Sequence, residues 1–165
     1  MASEIRAEVN AFLSTAVAFI PPGPLRVLDV GIDGGPEGGG NSSLFNDRPG
    51  SIYDTLDCNA RCNPTIVGDI CKRPVAAIYD VVILSETLEH IYDMKAALEG
   101  CWYALKPGGR LLVAVPWVYR YHPQPDYGDY WRVSGTALER LLNGVGFTVH
   151  DITMSGILTS GVAIK

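Results

Sequence analysis

The sequence predicts an α/β chain: a doubly wound, mostly parallel, seven-stranded sheet with helices on both faces and an antiparallel C-terminal hairpin strand. Three segments carry this expectation. A hydrophobic strand ends in an acid and runs into glycines, RVLDVGIDGG (Arg26 to Gly35). A second ends in another acid, SIYDTLD (Ser51 to Asp57). A third reads YDVVILSETLEHI (Tyr79 to Ile91) and leads through a helix into LKPGGRLLVAVP (Leu105 to Pro116). Strands that alternate with helices imply right-handed crossovers and parallel neighbours. Ligands on such sheets bind at the carboxyl ends of the strands, where these acids and glycines fall.

Residues 3–20 read as a helix, because Ile5, Val9, Phe12, Ala16 and Phe19 recur at helical spacing and Pro21-Pro22 stops the pattern. The first strand is Arg26 to Val30. A glycine-rich loop and a short helix follow, through Phe45. Strands are expected at Ser51 to Asp57, Thr65 to Val67 and Tyr79 to Leu84; the last is apolar almost throughout, as a strand covered on both faces should be. Asp93 can cap a helix whose buried stripe is Met94, Ala97, Leu98, Cys101, Trp102 and Leu105. Lys106-Pro107-Gly108-Gly109 is a turn by composition, and Arg110 to Val115 is the fifth strand. Pro116 to Val133, with its prolines, four tyrosines, two tryptophans and a histidine, reads as an elaborated loop. Ser134 caps a helix with Leu138, Leu141 and Leu142 on one face, ended by Gly144 or Gly146. Phe147 to Thr153 and Ile157 to Ile164 form the closing hairpin around Ser155-Gly156.

Composition narrows the function classes. At 165 residues, 47% apolar and 19% charged, the chain reads as one globular domain spanning residues 1–165. A net charge of −5, with the basic residues scattered, argues against nucleic acid as the main partner. No apolar run is long enough to span a membrane, and early acids (Glu4, Glu8) do not suit a signal peptide, so a cytoplasmic location is expected. Cys58, Cys62, Cys71 and Cys101 lack the spacing of a zinc site and read as free, mostly buried thiols. No metal site can be assembled from the sequence.

Glycines at 31, 34 and 35 let the backbone turn sharply and a ligand come close. Asp57 ends its strand about 20 residues beyond them, where an acid commonly binds a ribose diol, and a turn or cap role is its alternative. Asp69, in Val67-Gly68-Asp69-Ile70, can accept from an adenine amine or simply shape a turn. Across roughly residues 25–150 the chain resembles the class I, Rossmann-like, S-adenosylmethionine-dependent methyltransferases. The likeness rests on VLDVG, the LD at 56–57, GDI at 68–70, YDVVILSETLEHI and LKPGGRLLVAVP. The resemblance implies that Asp29, Gly31 and Gly35 surround the methionine part of S-adenosylmethionine and that Asp57 binds its ribose. It also implies that Asp69 and Ile70 flank the adenine, with Ser85 and Glu86 beside the cofactor. The usual middle glycine of the first motif is Asp33 here, and its carboxylate would approach the cofactor amino group or repel the cofactor carboxylate.

His122 to Arg132, HPQPDYGDYWR, is similar to the HPxPxDYWR-like segment of a subset of that family. Members of that subset often look like small-molecule, sugar or secondary-metabolite methyltransferases. Such a loop suits a pocket wall, with Tyr130, Trp131 and Arg132 binding a small-molecule substrate; Tyr130 and Trp131 would otherwise fill the core. An oxygen or nitrogen acceptor must lose its proton as it attacks, and a histidine near neutral pKa is a natural base. His122 is the first candidate, His90 and Glu89 the next, and His150 is expected at the surface. The expected reaction is methyl transfer to a small molecule, to oxygen rather than nitrogen or carbon. The alternatives are a catalytically inactive cofactor-binding or interaction module of the same fold, and a nicotinamide oxidoreductase. Trp117, Tyr119 and Tyr121 would equally suit a homodimer contact.

Overall fold

The computed structural model describes residues 2–32, 41–123 and 125–165. Among them, seven strands form one sheet: β1 (Arg26–Val30), β2 (Ile52–Asp57), β3 (Ile66–Val67), β4 (Tyr79–Ser85), β5 (Leu105–Pro116), β6 (Thr148–Ser155) and β7 (Leu158–Ile164), in the order β3-β2-β1-β4-β5-β7-β6. The first five run parallel, and β7 lies antiparallel between β5 and β6. The C-terminal hairpin thus supplies an inner strand as well as the edge.

Alternation along the central strands divides the core. Val27, Val81, Ile83, Leu112 and Ala114 face helix α1 (Ala2–Ala16). Leu28, Val30, Val82, Leu84, Leu111 and Val113 face α2 (Met94–Ala104) and α3 (Gly135–Val145). Strands buried on both faces must be apolar at successive positions, which is why β4 looks continuous in sequence. The first helix buries Ile5, Val9, Leu13 and Ala16, followed by Ile20, with Phe12 packed against their edge and the expected Phe19 exposed. A 3-10 turn over Val17–Phe19 advances faster per residue than an α-helix. It leaves Phe19 at the surface, edge-on to His150. The other two helices are capped as their sequences predict: Asp93 and Ser134 accept from Ala96 and Ala137, and Gly146 closes α3 in the left-handed region.

Two further expectations shift. The Lys106-Pro107-Gly108-Gly109 turn forms, but inside β5: Tyr79 pairs with Leu105 and Val81 with Arg110, so four residues bulge opposite Asp80. The Lys106 ammonium lies 2.8 Å from Asp80, whose other oxygen accepts from the backbone of Arg26 at 2.8 Å. Of the cysteines only Cys101 is buried; Cys58 is exposed and Cys62 and Cys71 are half-buried, and all four are free. Cys58 precedes and Cys62 ends a 3-10 turn (Ala60–Cys62) where the chain leaves β2, and neither belongs to a core cluster.

At the amino ends of the strands, Asp54 accepts from Arg26 at 2.8 Å and from the fully buried Tyr79 hydroxyl at 3.0 Å. Polar cross-links there leave the carboxyl ends free for a cleft. The crossovers after β2 and β3 carry only single 3-10 turns, Ala60–Cys62 and Ile70–Lys72. The second packs so tightly on α2 that a Cβ at Gly100 would overlap the carbonyl oxygen of Ile70. Replacing Gly100 by Ala should therefore cost roughly 1–3 kcal/mol in chemical unfolding, the usual penalty for overpacking. A loss below about 0.5 kcal/mol, the scale of a neutral surface change, would contradict this packing.

Candidate functional site

Strands β2 and β3 lie to one side of β1, and β4 to the other, so the winding direction reverses between β1 and β4. A cleft opens at that point, where such sheets bind ligands. Its floor includes Val30, Leu56 and Ile70, and its polar edge includes Asp57, Asn59, Asp69 and Glu86. Gly31 turns the chain out of β1 at φ +78, and a side chain there would strike Thr87. The Thr87 hydroxyl lies 3.0 Å from the Val30 carbonyl and 2.9 Å from that of Ser85, joining the ends of β1 and β4.

The cofactor residues expected from sequence fall into three groups. Gly31, Asp57, Asp69, Ile70 and Glu86 line the cleft. Asp57 accepts from Ile32 N at 3.1 Å on one oxygen and from Asn59 N at 2.7 Å on the other, which fixes its carboxylate and leaves each oxygen acceptor capacity. Asp69 caps the turn after β3 through Cys71 N. Glu86 sits in the left-handed region at φ 49, with its backbone N–H on the Ala114 carbonyl. Asp29 and Ser85 do not line the cleft. Asp29 is buried and accepts from the Asn41 backbone and side chain, both at 3.0 Å, and from the Tyr53 hydroxyl. Burial raises its pKa against those three hydrogen bonds, and it anchors the chain at the far end of the glycine-rich loop. The Ser85 hydroxyl is buried without a hydrogen-bond partner among the described residues. Asp33 and Gly35 lie outside the described residues.

The segment between β5 and α3 is held by its own side chains. Asp129, only 1% exposed, takes a bidentate pair from Arg132 at 2.6 and 2.8 Å. The guanidinium also donates to the carbonyls of Tyr119, Arg120 and Trp131, which spends all five of its N–H groups. Arg132 therefore has no donor left for a substrate. The Trp131 indole donates to the carbonyls of Ile91 and Tyr92, and the Tyr130 backbone to that of Glu89. Tyr130 itself is half-exposed, edge-on to Tyr92. The three residues expected to bind substrate thus shape and fasten the loop, and none lines the cleft. Asp126 and Tyr127 line it instead. Asp126 accepts from the Asn59 amide at 3.2 Å, bridging the loop to the end of β2. Sequence reasoning passed over Thr87, Asn59, Asp126 and Tyr127. The Asn59 capping pattern and the acid within the loop motif were the available signals.

The three titratable candidates come together. Glu89 is fully buried, and neither carboxylate oxygen has a hydrogen-bond partner among the described residues. Burial pushes its pKa up to about 8. His90 Nε2 lies 3.7 Å and His122 Nε2 3.9 Å from the same oxygen, Oε1. The Nδ1 of His90 meets the Gly128 carbonyl at 2.6 Å. That of His122 meets the Arg120 carbonyl at 3.0 Å and Asp129 at 3.1 Å. Both Nδ1 atoms face acceptors, so each donates there, and both Nε2 atoms are turned toward Glu89. The Arg132 nitrogen 3.4 Å from His122 Nδ1 already donates elsewhere. Burial lowers the His90 pKa, which favours the neutral ring. His90 also lines the cleft, with the Tyr127 ring 4.4 Å away, so the cluster adjoins the cleft wall.

The family described as a methyltransferase domain matches residues 1–152. The chain belongs to this family. Over 103 residues this methyltransferase domain is 30% identical to the human mitochondrial ubiquinone biosynthesis O-methyltransferase, covering 54% of the chain and 28% of that protein. It is 29% identical over 89 residues to a probable S-adenosylmethionine-dependent methyltransferase of Mycolicibacterium smegmatis, covering 51% and 35%. The aligned stretch thus spans roughly a third of those relatives' own length. Among solved structures, the fold matches a Burkholderia thailandensis 1,6-didemethyltoxoflavin N1-methyltransferase holding that compound and S-adenosylhomocysteine, with a TM-score of 0.72 at 18% identity over 96% of this chain and 76% of the other. It also matches the [4+2]-cyclase SpnF, with a TM-score of 0.71 at 15% identity over 93% and 79%. One fold thus carries more than one chemistry. Among the described residues no helix is long and apolar enough to cross a membrane.

Breaking the Asp129–Arg132 pair should loosen the loop of this methyltransferase domain. Asp129→Asn should cost roughly 1–3 kcal/mol in unfolding, the range for a charge-assisted hydrogen bond in a partly buried pair. It should also expose residues 117–133 to limited proteolysis. An unchanged cleavage pattern would show that the loop is held by other contacts.

Proposed function

We propose that this chain is an S-adenosylmethionine-dependent methyltransferase acting on a small-molecule acceptor, with oxygen the methylated atom and a sugar-like or secondary-metabolite ring the class of acceptor. The observation that carries the proposal is a cleft at the reversal point whose far end holds Asp57 and Ile70 and whose near wall is His90, one member of a His–His–Glu cluster gathered around the buried Glu89. The relatives' descriptions as S-adenosylmethionine-dependent and O-methyltransferases support it, as does the HPxPxDYWR-like loop.

The residues present fit the cofactor. Gly31 offers backbone without a Cβ at the turn out of β1. Asp57 is held by two backbone N–H groups in a pose that keeps acceptor capacity for a diol. Ile70 is apolar and buried beneath the same cleft, as an adenine face requires. When bound, S-adenosylmethionine supplies a methyl group already activated by its sulfonium. The chain must orient the acceptor and exclude water. Asp126, bridged to Asn59, and Tyr127, tilted against the His90 ring, close the cleft on the loop side. His122 does not itself line the cleft but packs edge-on against His90, which does, and its Nε2 takes the proton of an acceptor that reaches past His90, because Asp129 and the Arg120 carbonyl hold its Nδ1 proton. His90 and Glu89 complete the proton-accepting group beside it.

Calorimetric titration with S-adenosylmethionine should show saturable binding. Asp57→Ala should weaken it roughly 10–100-fold, the worth of hydrogen bonds to a charged group, with an unchanged fold by circular dichroism. In an acceptor screen, His122→Ala should bind the cofactor as the wild type does and lose at least about tenfold in turnover. Unchanged turnover would remove His122 from proton transfer. A second reading, cofactor binding without transfer, draws on the reduction of the crossovers after β2 and β3 to single turns. Tight binding without turnover on any acceptor would favour it.

A further inference from the structure

We propose that Glu89, His90 and His122 form a binding site for one divalent transition-metal ion beside the cleft. Their ligand atoms, one from each side chain, all lie within 4.8 Å of one another. A bound ion with ligand distances near 2.0–2.2 Å needs separations of about 3–3.5 Å, so closing the site takes movements of roughly an ångström.

The orientation of the rings is the stronger argument. A metal-binding imidazole almost always donates its other N–H to a carbonyl or carboxylate, which fixes the tautomer and makes the ligating nitrogen more basic. Both histidines are held in that way. His90 Nδ1 is on the Gly128 carbonyl at 2.6 Å, and His122 Nδ1 is between the Arg120 carbonyl at 3.0 Å and Asp129 at 3.1 Å. Asp129 is fixed in turn by Arg132, which gives an Arg–Asp–His chain behind the second ligand. The result is two imidazole nitrogens and a buried carboxyl group converging on one point. The Glu89 oxygens, completely buried and without a hydrogen bond among the described residues, are otherwise uncompensated. Leaving such a group unpartnered is costly, and a cation at the point of convergence satisfies all three ligands at once.

Two imidazoles and one carboxylate select a first-row transition ion such as Zn²⁺ or Fe²⁺ over Mg²⁺ or Ca²⁺, which prefer all-oxygen sites. Three protein ligands leave coordination open. Because His90 also lines the cleft, the open positions suit the oxygen of an acceptor bound there. In the metal-loaded protein the imidazoles would act as ligands and not as bases; the ion would lower the pKa of an acceptor hydroxyl bound to it, which would release its proton to solvent water at the mouth of the cleft. This role for the ion rests on the methyltransferase reading; the site itself does not.

The test uses the whole chain, stripped with a chelator and titrated with Zn²⁺ and separately with Co²⁺, without cofactor or acceptor. One ion per chain should bind, and Glu89→Gln and His122→Ala should each weaken binding at least tenfold while keeping the wild-type circular dichroism. His150→Ala, on the exposed face of β6, should leave affinity unchanged. The Co²⁺ form should show ligand-field bands without the thiolate charge-transfer band that Cys58 or Cys62 would add. No stoichiometric binding, binding unaffected by Glu89→Gln and His122→Ala, or a thiolate band abolished by Cys58→Ser would overturn the site. S-adenosylmethionine titration of the same samples separates the two proposals. Metal binding without cofactor binding would reject the methyltransferase reading and leave the site standing, and the converse would reject the site alone.

Discussion

The constraint around which the functional end of this molecule is arranged is the Glu89 carboxylate, sealed from solvent with no hydrogen bond among the described residues. A buried carboxyl in that state resists ionisation, and burial indeed raises its pKa. Its surroundings are ordered around it. The backbone carbonyl of Glu89 receives the Tyr130 N–H, which brings the loop onto the same turn. The loop in turn delivers His122, and the Asp129–Arg132 pair sets which nitrogen of that ring points inward. A polar group kept in so unfavourable a place is a mark of function more than of stability.

The sheet makes this placement affordable. Cross-links among Asp54, Arg26 and Tyr79, and between Asp80 and Lys106, gather at the amino ends of the strands. At the carboxyl ends the Thr87 hydroxyl bridges β1 and β4 where the winding reverses, and Asp57 ties the end of β2 to the chain leaving β1. The scaffold is therefore secured on one side and open on the other. The cleft lies between the end of β2, which presents Asp57, and the turn after β4, which presents Glu86 and His90.

Most of the fold was legible in the sequence because each strand carries its own signal. The first strand and the central buried strand stand where their apolar runs place them, and Asp93 and Ser134 cap the helices that follow them. What was not legible depended on contacts distant in sequence. Ile20 is buried in place of Phe19 because a 3-10 turn changes the phase of the pattern at the end of the first helix. The Lys106–Gly109 turn looked like an element boundary, whereas β5 runs through it as a bulge opposite Asp80. In the site, local motifs placed Asp57, Asp69, Ile70 and Glu86 on the cleft. They could not show that every donor of Arg132 is spent within its own loop, or that Asp29 turns to the α1 side to hold Asn41. Nor could spacing reveal that Glu89, His90 and His122 meet, since His122 lies 32 positions beyond its neighbour in the cluster and arrives only through loop packing.

The most direct measurement is a crystal structure of the whole chain with S-adenosylhomocysteine. The expected result places the ribose against Asp57, the adenine over Ile70, and the sulfur toward His90 and the Glu89–His122 cluster, with space left there for an acceptor. A cofactor bound elsewhere, or one whose sulfur points away from the cluster, would contradict the assignment of this cleft as a methyl-transfer site.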